Sequence, residues 1–211
     1  MRNLVIAVTA VAIAAMMAPL VGGAQEGGNQ ADGWETRLDR GSDATSVLHF
    51  RGMGSGVHAS TAGRGGAIFW QPNSMAKGTY TISASFTQTE PSGHPNAYGL
   101  LFGGSNLSGP NQRYSYFVIR QGGQFLIKKR MGEDTPDVVD WTPHNAINDL
   151  DGQGRSTNTL AVEVGSSQVR FLVNGTAVAT QPSSAVDTDG ITGLRVTHLL
   201  DVHIGELMLG M

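Results

Sequence analysis

The chain has no cysteine. That excludes disulfide staples, thiolate–metal centres, cysteine nucleophiles and an acylated N-terminal cysteine, so any fold it adopts must be held by its apolar core. Charge is also sparse: Asp, Glu, Lys and Arg make up 15% of the 211 residues, and the net charge is −3. Without a basic excess there is no global electrostatic footprint for nucleic acid, and the short run Lys128, Lys129, Arg130 does not create one. Beyond the first residues no window sustains a helical period, and no internal repeat is visible.

Several catalytic signatures are missing as well. Residues 63–66 (GRGG) carry no Lys-Ser/Thr after the glycines and open no helix, which argues against a phosphate-binding loop. No Gly-x-Ser-x-Gly precedes a helix; Gly54, Ser55 and Gly56 lack both context and spacing. The six histidines (49, 58, 94, 144, 198 and 203) show no i, i+4 arrangement, so a zinc site could be assembled only by folding.

What the chain does have begins at its N-terminus. Met1, Arg2 and Asn3 precede an uncharged run from Leu4 to Leu20, followed by Gly22 and Ala24 at the −3 and −1 positions of a cleavage site. This is the pattern of a signal peptide over residues 1–24; the run is short and Ala-rich for a membrane span of about 20 residues, and Pro19 lies near its end. Residues 25–33 (QEGGNQADG) read as a flexible Gly-rich leader, and 34–211 as one domain. The expected location is extracellular or periplasmic, with no stable membrane anchor after cleavage.

Twenty-nine glycines punctuate short alternating segments throughout that domain. Residues 80–87 alternate strictly, with Tyr80, Ile82, Ala84 and Phe86 on one side and hydroxylated residues on the other, as in a half-buried strand. Asn174-Gly175 joins two apolar runs as a hairpin turn. Segments of this kind recur at the spacing of an all-β sandwich, about 12–14 strands in all.

The densest alternation lies at 114–120 (YSYFVIR) and 124–130 (QFLIKKR). With Gly122-Gly123 as a two-residue turn, Gln121 pairs with Gln124 and Arg120 faces Phe125. The pairing puts Phe117, Ile119 and Leu126 on a core face and Tyr114, Tyr116, Val118, Arg120, Phe125, Ile127 and Lys129 on the other. Such a ring-and-cation face suits a sugar, whose C–H faces stack on rings while its hydroxyls take charged partners. It equally suits an ordinary outer sheet face with Lys and Arg stems lying over apolar neighbours.

Two further groups could carry chemistry. Asp137, Asp140 and His144 stand near Trp141 at the start of a long loop over 142–154, and form the best acid/base candidate; the alternative is a strand end with turn-capping Asp. In that loop Asp149 and Asp151 offer oxygen ligands beside glycines, suggesting Ca²⁺ as a cofactor, although the twelfth position of a calcium loop, normally Glu, is Leu160. Neither Glu-x-Asp-x-x-Glu nor its one-residue-longer form is present, so one strand does not carry the paired carboxylates that glycoside hydrolysis needs.

The order YGLLFGG, YSYFVIR, GGQFLIKKR, VVDW, NTLAVEV, VRFLVNGTAVA and a terminal strand resembles the concanavalin A-like jelly roll. Within it, the chain looks most like secreted bacterial laminin-G-like domains and the 3-keto-disaccharide hydrolase-like domain of unknown function. Asn158-x-Leu160 and Phe171-x-Val173-Asn174-Gly175 are the most specific part. The resemblance implies two packed antiparallel sheets, with ligands on the concave face or its rim. Three functions stay open: a non-catalytic module binding a carbohydrate or other extracellular polymer through Tyr114, Tyr116, Arg120, Lys129 and Trp141; a glycoside-cleaving enzyme using Asp137, Asp140 and His144; and an adhesion module with no small ligand. The leaning is towards binding without catalysis.

The secretion reading is directly testable. N-terminal sequencing of exported protein is expected to begin near Gln25, and recovery of intact Met1 would overturn it.

Overall fold

Period-two alternation makes each segment apolar on one side, and the structure satisfies this by laying two antiparallel sheets face to face. The computed structural model describes residues 31–39, 48–61 and 65–211. The expected signal peptide and most of the expected leader lie outside the described residues. Ala31, at the leader's end, is buried against the core.

The strands are β1 (Glu35–Leu38), β2 (Leu48–Met53), β3 (Gly56–Thr61), β4 (Ala67–Ala76), β5 (Tyr80–Gln88), β6 (Ala97–Ser105), β7 (Arg113–Arg120) and β8 (Gln124–Met131). They continue as β9 (Asp137–Pro143), β10 (Ser156–Val164), β11 (Gln168–Val173), β12 (Thr176–Pro182), β13 (Gly190–Val196), β14 (Leu200–Ile204) and β15 (Met208–Gly210), with one 3₁₀ turn at Ser183–Ala185. A seven-stranded sheet runs β1-β4-β13-β6-β7-β8-β9, and an eight-stranded one runs β12-β11-β10-β5-β14-β3-β2 with β15 also paired to β5. No helix among the described residues is long and apolar enough to cross a membrane.

Aromatic pairs close the core between the sheets. Phe50 of β2 stacks on Phe69 of β4 with ring centroids 4.0 Å apart, Phe86 of β5 on Tyr98 of β6 at 5.4 Å, and Phe117 of β7 meets Phe171 of β11 edge-on at 5.3 Å. All six belong to one buried cluster. Asn174 and Gly175 adopt positive φ (51° and 79°), as the two-residue hairpin turn requires. The C-terminal segment, expected as one strand, is two: β14 and β15 both run along β5, and the chain breaks at Gly205, where a Cβ would stand 2.4 Å from Ser85 Oγ.

The β7–β8 hairpin corrects the expected register. Gly122 and Gly123 both have positive φ, but the loop holds three residues, Gln121 to Gly123, so Arg120 pairs with Gln124 and Ile119 with Phe125. A one-residue shift turns every β8 side chain over. Phe125 and Ile127 therefore lie in the core, whereas Leu126 joins Tyr114, Tyr116 and Val118 on the outer side. Two effects favour this register: Phe125 is buried against Phe117 at 6.2 Å, and Arg120 Nε donates to Gln124 Oε1 at 2.9 Å across the loop.

The two registers predict opposite outcomes at Phe125. Truncation of a buried Phe costs about 3–5 kcal/mol, a large share of a typical total of roughly 5–15 kcal/mol. Phe117→Ala and Phe125→Ala should both lose stability on that scale in urea titration. A near-neutral Phe125→Ala would restore the two-residue turn.

Candidate functional site

The outer face of the seven-stranded sheet is itself largely buried. Ile68 and Trp70 of β4, Ala97 and Leu101 of β6, Tyr114, Tyr116 and Val118 of β7 and Leu126 of β8 form a second apolar cluster, with Trp141 of β9 packed at its margin. A cation is sunk into this layer. Arg195 of β13 is 8% exposed; its guanidinium donates through Nη1 to Asp39 Oδ1 (2.9 Å) and through Nη2 to Asp39 Oδ2 (2.7 Å). Nη1 also reaches the Tyr114 hydroxyl at 3.2 Å, and the group lies 4.7 Å over the Tyr116 ring. Gly99 stands opposite Arg195 in the register, and a Cβ there would fall 2.1 Å from Phe117 O.

These contacts set the ionisation of the layer. Burial alone would raise the Asp39 pKa, but the Arg195 charge and hydrogen bonds outweigh it and hold the carboxyl below its usual value. Burial likewise works against the charged form of Arg195, yet Tyr114 and Asp39 raise its pKa on balance. Both tyrosines are pushed up, chiefly by burial.

Beside this layer opens a cleft of about 390 Å³, walled by Asp39, Asn96, Arg120, Trp141, Thr197 and His198 among others. The Arg120 guanidinium sits 4.0 Å over the Trp141 ring, and both side chains are half-exposed. On the other wall His94 and His198 approach Nε2 to Nε2 at 3.0 Å, a bond in which one ring must donate and the other accept. The walls are fixed by polar contacts: Gln121 Oε1 accepts from Ser92 N (3.0 Å), Asn96 Nδ2 donates to Ser92 Oγ (2.9 Å), and Ala97 N donates to Thr197 Oγ1 (2.8 Å). The hairpin loop at Gln121 thus holds the His94 segment in place.

Of the expected binding residues, Arg120 and Trp141 meet at this cleft. Tyr114 (1% exposed) and Tyr116 (5%) lie beneath Arg195 and offer no open ring face. Lys129 is a correction: the shifted register puts it on the opposite side of β8 from Leu126, where Nζ pairs with Asp187 at 3.5 Å.

Each member of the acid/base group has a partner outside the group. Asp137 pairs with Lys128 Nζ at 3.0 Å, and Asp140 Oδ1 accepts from Trp141 N at 2.7 Å. His144 Nδ1 accepts from Ala146 N at 3.1 Å, and its ring packs against Phe125 on the core side. No hydrogen bond or ion pair joins the three.

Asp149 and Asp151 serve turns. Asp149 Oδ1 accepts from Gly122 N (3.0 Å) and Leu150 N (2.9 Å), tying the long loop to the β7–β8 hairpin. Asp151 Oδ1 accepts from Gln153 N (2.8 Å) and Arg155 N (3.0 Å), and the backbone N–H groups of Arg155 and Gln153 lower its pKa. These carboxylates keep oxygens with which a calcium ion could be met, but one oxygen of each is already committed to the backbone. The same loop is anchored by the motif asparagines: Asn158 Oδ1 accepts from Asn148 N (2.8 Å) and Asn174 Nδ2 donates to Ala146 O (2.8 Å).

Sequence reasoning missed Asp39, Arg195, His94, Asn96 and His198. Asp39 and Arg195 are 156 positions apart and His94 and His198 104 apart, and no local spacing signals such pairings.

No family model matches the chain, and no curated protein is similar to it in sequence. Solved structures do match. The carbohydrate-binding module CBM66 from Bacillus subtilis aligns over 87% of this chain and 98% of its own, with a TM-score of 0.64 at 12% identity. A protein of unknown function with a galectin-like fold, also from Bacillus subtilis, covers 84% of this chain and 88% of its own (TM-score 0.53, 10% identity). Alginate lyase A1-II′, a member of polysaccharide lyase family 7, covers 80% and 84% (TM-score 0.50, 10% identity). At such identities the likeness is one of fold, and the fold is the concanavalin A-like jelly-roll sandwich.

Proposed function

We propose that this chain is an exported, non-catalytic β-sandwich module that binds a carbohydrate in the cleft beside Arg120 and Trp141. The observation that carries the reading is the stacked Arg120–Trp141 pair at the mouth of a preformed polar cleft. An indole presents an apolar surface to sugar C–H groups, and a guanidinium and imidazoles present donors to hydroxyls. The guanidinium also fixes the indole, so little side-chain freedom remains to be lost on binding. The fold likeness to CBM66 supports the same reading, since that protein is a carbohydrate-binding module. Export rests on the apolar run from Leu4 to Leu20 and the small residues after it.

One observation favours an enzymatic reading: His94 and His198 share a hydrogen at 3.0 Å on the cleft wall, an arrangement able to pass a proton to or from a bound sugar. The likeness to a polysaccharide lyase fold is compatible with it. Asp137, Asp140 and His144 carry no part of this reading, since each is engaged with another partner.

A glycan array with product analysis of the same mixtures separates the readings. Binding without turnover is expected; turnover abolished by His94→Ala or His198→Ala would install the enzymatic reading, and silence in both would leave a structural adhesion module. Once a glycan is identified, Trp141→Ala with Arg120→Ala should weaken it by about 30- to 1,000-fold, the loss of one stacking surface and one charge-assisted donor. The melting temperature of the double variant must stay near wild type for that result to count. Unchanged affinity would move the ligand out of this cleft.

A further inference from the structure

We propose that the outer face of the eight-stranded sheet holds a divalent transition-metal ion, zinc being the fitting one, between His58, Asp201 and His203. The register assembles the set: His58 of β3 and His203 of β14 are direct partners, and Asp201, two residues before His203, projects from the same face. Their inward neighbours Val57, Ala59, Val202 and Ile204 are core, which points the three ligands to the solvent side.

The donors are already close. His58 Nε2 lies 3.0 Å from each Asp201 carboxylate oxygen, the two imidazole rings meet edge-on at 4.7 Å, and one donor atom from each residue falls within 4.8 Å of the others. In a tetrahedral site, ligand atoms at roughly 2.0–2.2 Å from a shared ion stand about 3.3–3.6 Å apart, so side-chain rotations that move the donors by about an ångström close the site. All three side chains are half-exposed, which leaves open coordination positions facing water.

The set is chemically suited to such an ion. Two imidazoles and one carboxylate are borderline N/O donors of the kind zinc and its first-row neighbours prefer, and unlike the oxygen cage calcium needs. Asp201 is supported from behind: the Thr89 hydroxyl bonds to its carboxylate and to its carbonyl oxygen (3.1 Å), which orients the ligand. Partial burial works against the ionised form, but Thr89 and His58 more than offset it and hold the Asp201 pKa below its usual value. In the metal-free pair His58 Nε2 supplies the hydrogen to the carboxylate. Ligation through that atom sends the hydrogen to Nδ1, or releases a proton if the ring is an imidazolium. Arg51 lies opposite His58 and His49 opposite Ser60 on β2, and Thr87 opposite His203 on β5. The nearby Arg51 charge limits affinity without blocking the site, since Arg51 is exposed to solvent.

This site lies on the sheet opposite the sugar cleft, and its test is independent of that reading. Tag-free protein stripped with chelator would be titrated with Zn²⁺ by calorimetry and with Co²⁺ by visible absorption. One ion per chain is expected, together with a Co²⁺ d–d band and a zinc-dependent rise in melting temperature. His58→Ala and His203→Ala should each weaken binding at least about tenfold and lose the rise, while keeping a metal-free melting temperature near wild type. His94→Ala serves as the control and should bind like wild type. Absence of saturable binding, or loss in His94→Ala with retention in His203→Ala, would overturn the proposal.

Discussion

Everything in this molecule depends on two sheets burying one shared aromatic seam. In the absence of cysteine no disulfide can offset a poor core, so burial and close packing between the sheets carry the fold. The three cross-sheet ring pairs, Phe50–Phe69, Phe86–Tyr98 and Phe117–Phe171, lie along that seam and each joins one strand of one sheet to one strand of the other. They set which side of every strand faces in, and thereby which side is left for chemistry.

The seven-stranded sheet uses its outer side unusually. An apolar layer there covers itself, and the ion pair of Arg195 with Asp39 is embedded in it at the foot of the cleft. Burying a guanidinium is costly unless it is paired; the bidentate carboxylate and the Tyr114 hydroxyl accept three hydrogen bonds from it, and the Tyr116 ring lies against its plane. Gly99, opposite Arg195 in the register, lets β6 lie close against β7, since a Cβ there would strike the Phe117 carbonyl oxygen.

The eight-stranded sheet shows how outward positions become sites once strands are aligned. His58 and His203 belong to strands far apart in the chain, and only the β3–β14 pairing sets them side by side. The same holds for His94 and His198, held by loops that Gln121, Ser92 and Thr197 fasten together. Polar contacts between loops place the cleft's side chains, whereas apolar packing places the sheets.

The all-β class, the positions of nearly all strands and the Asn174-Gly175 turn were legible because they depend on local alternation and on turn residues with positive φ. The same rules located Phe117 and Ile119 as core and singled out Arg120 and Trp141, which the structure stacks together at a cleft. They did not decide the β7–β8 register, because Gly122-Gly123 accommodates either a two- or a three-residue loop, and the choice falls to the burial of Phe125 against Phe117 and the Arg120–Gln124 hydrogen bond across the loop. That one choice carried Lys129 away from the expected binding face. Asp39 with Arg195, His94 with His198, and His58 with Asp201 were beyond reach for a related reason: their partners are more than a hundred residues apart, and contact at such separation is set by sheet order and crossovers, which short-range periodicity does not encode.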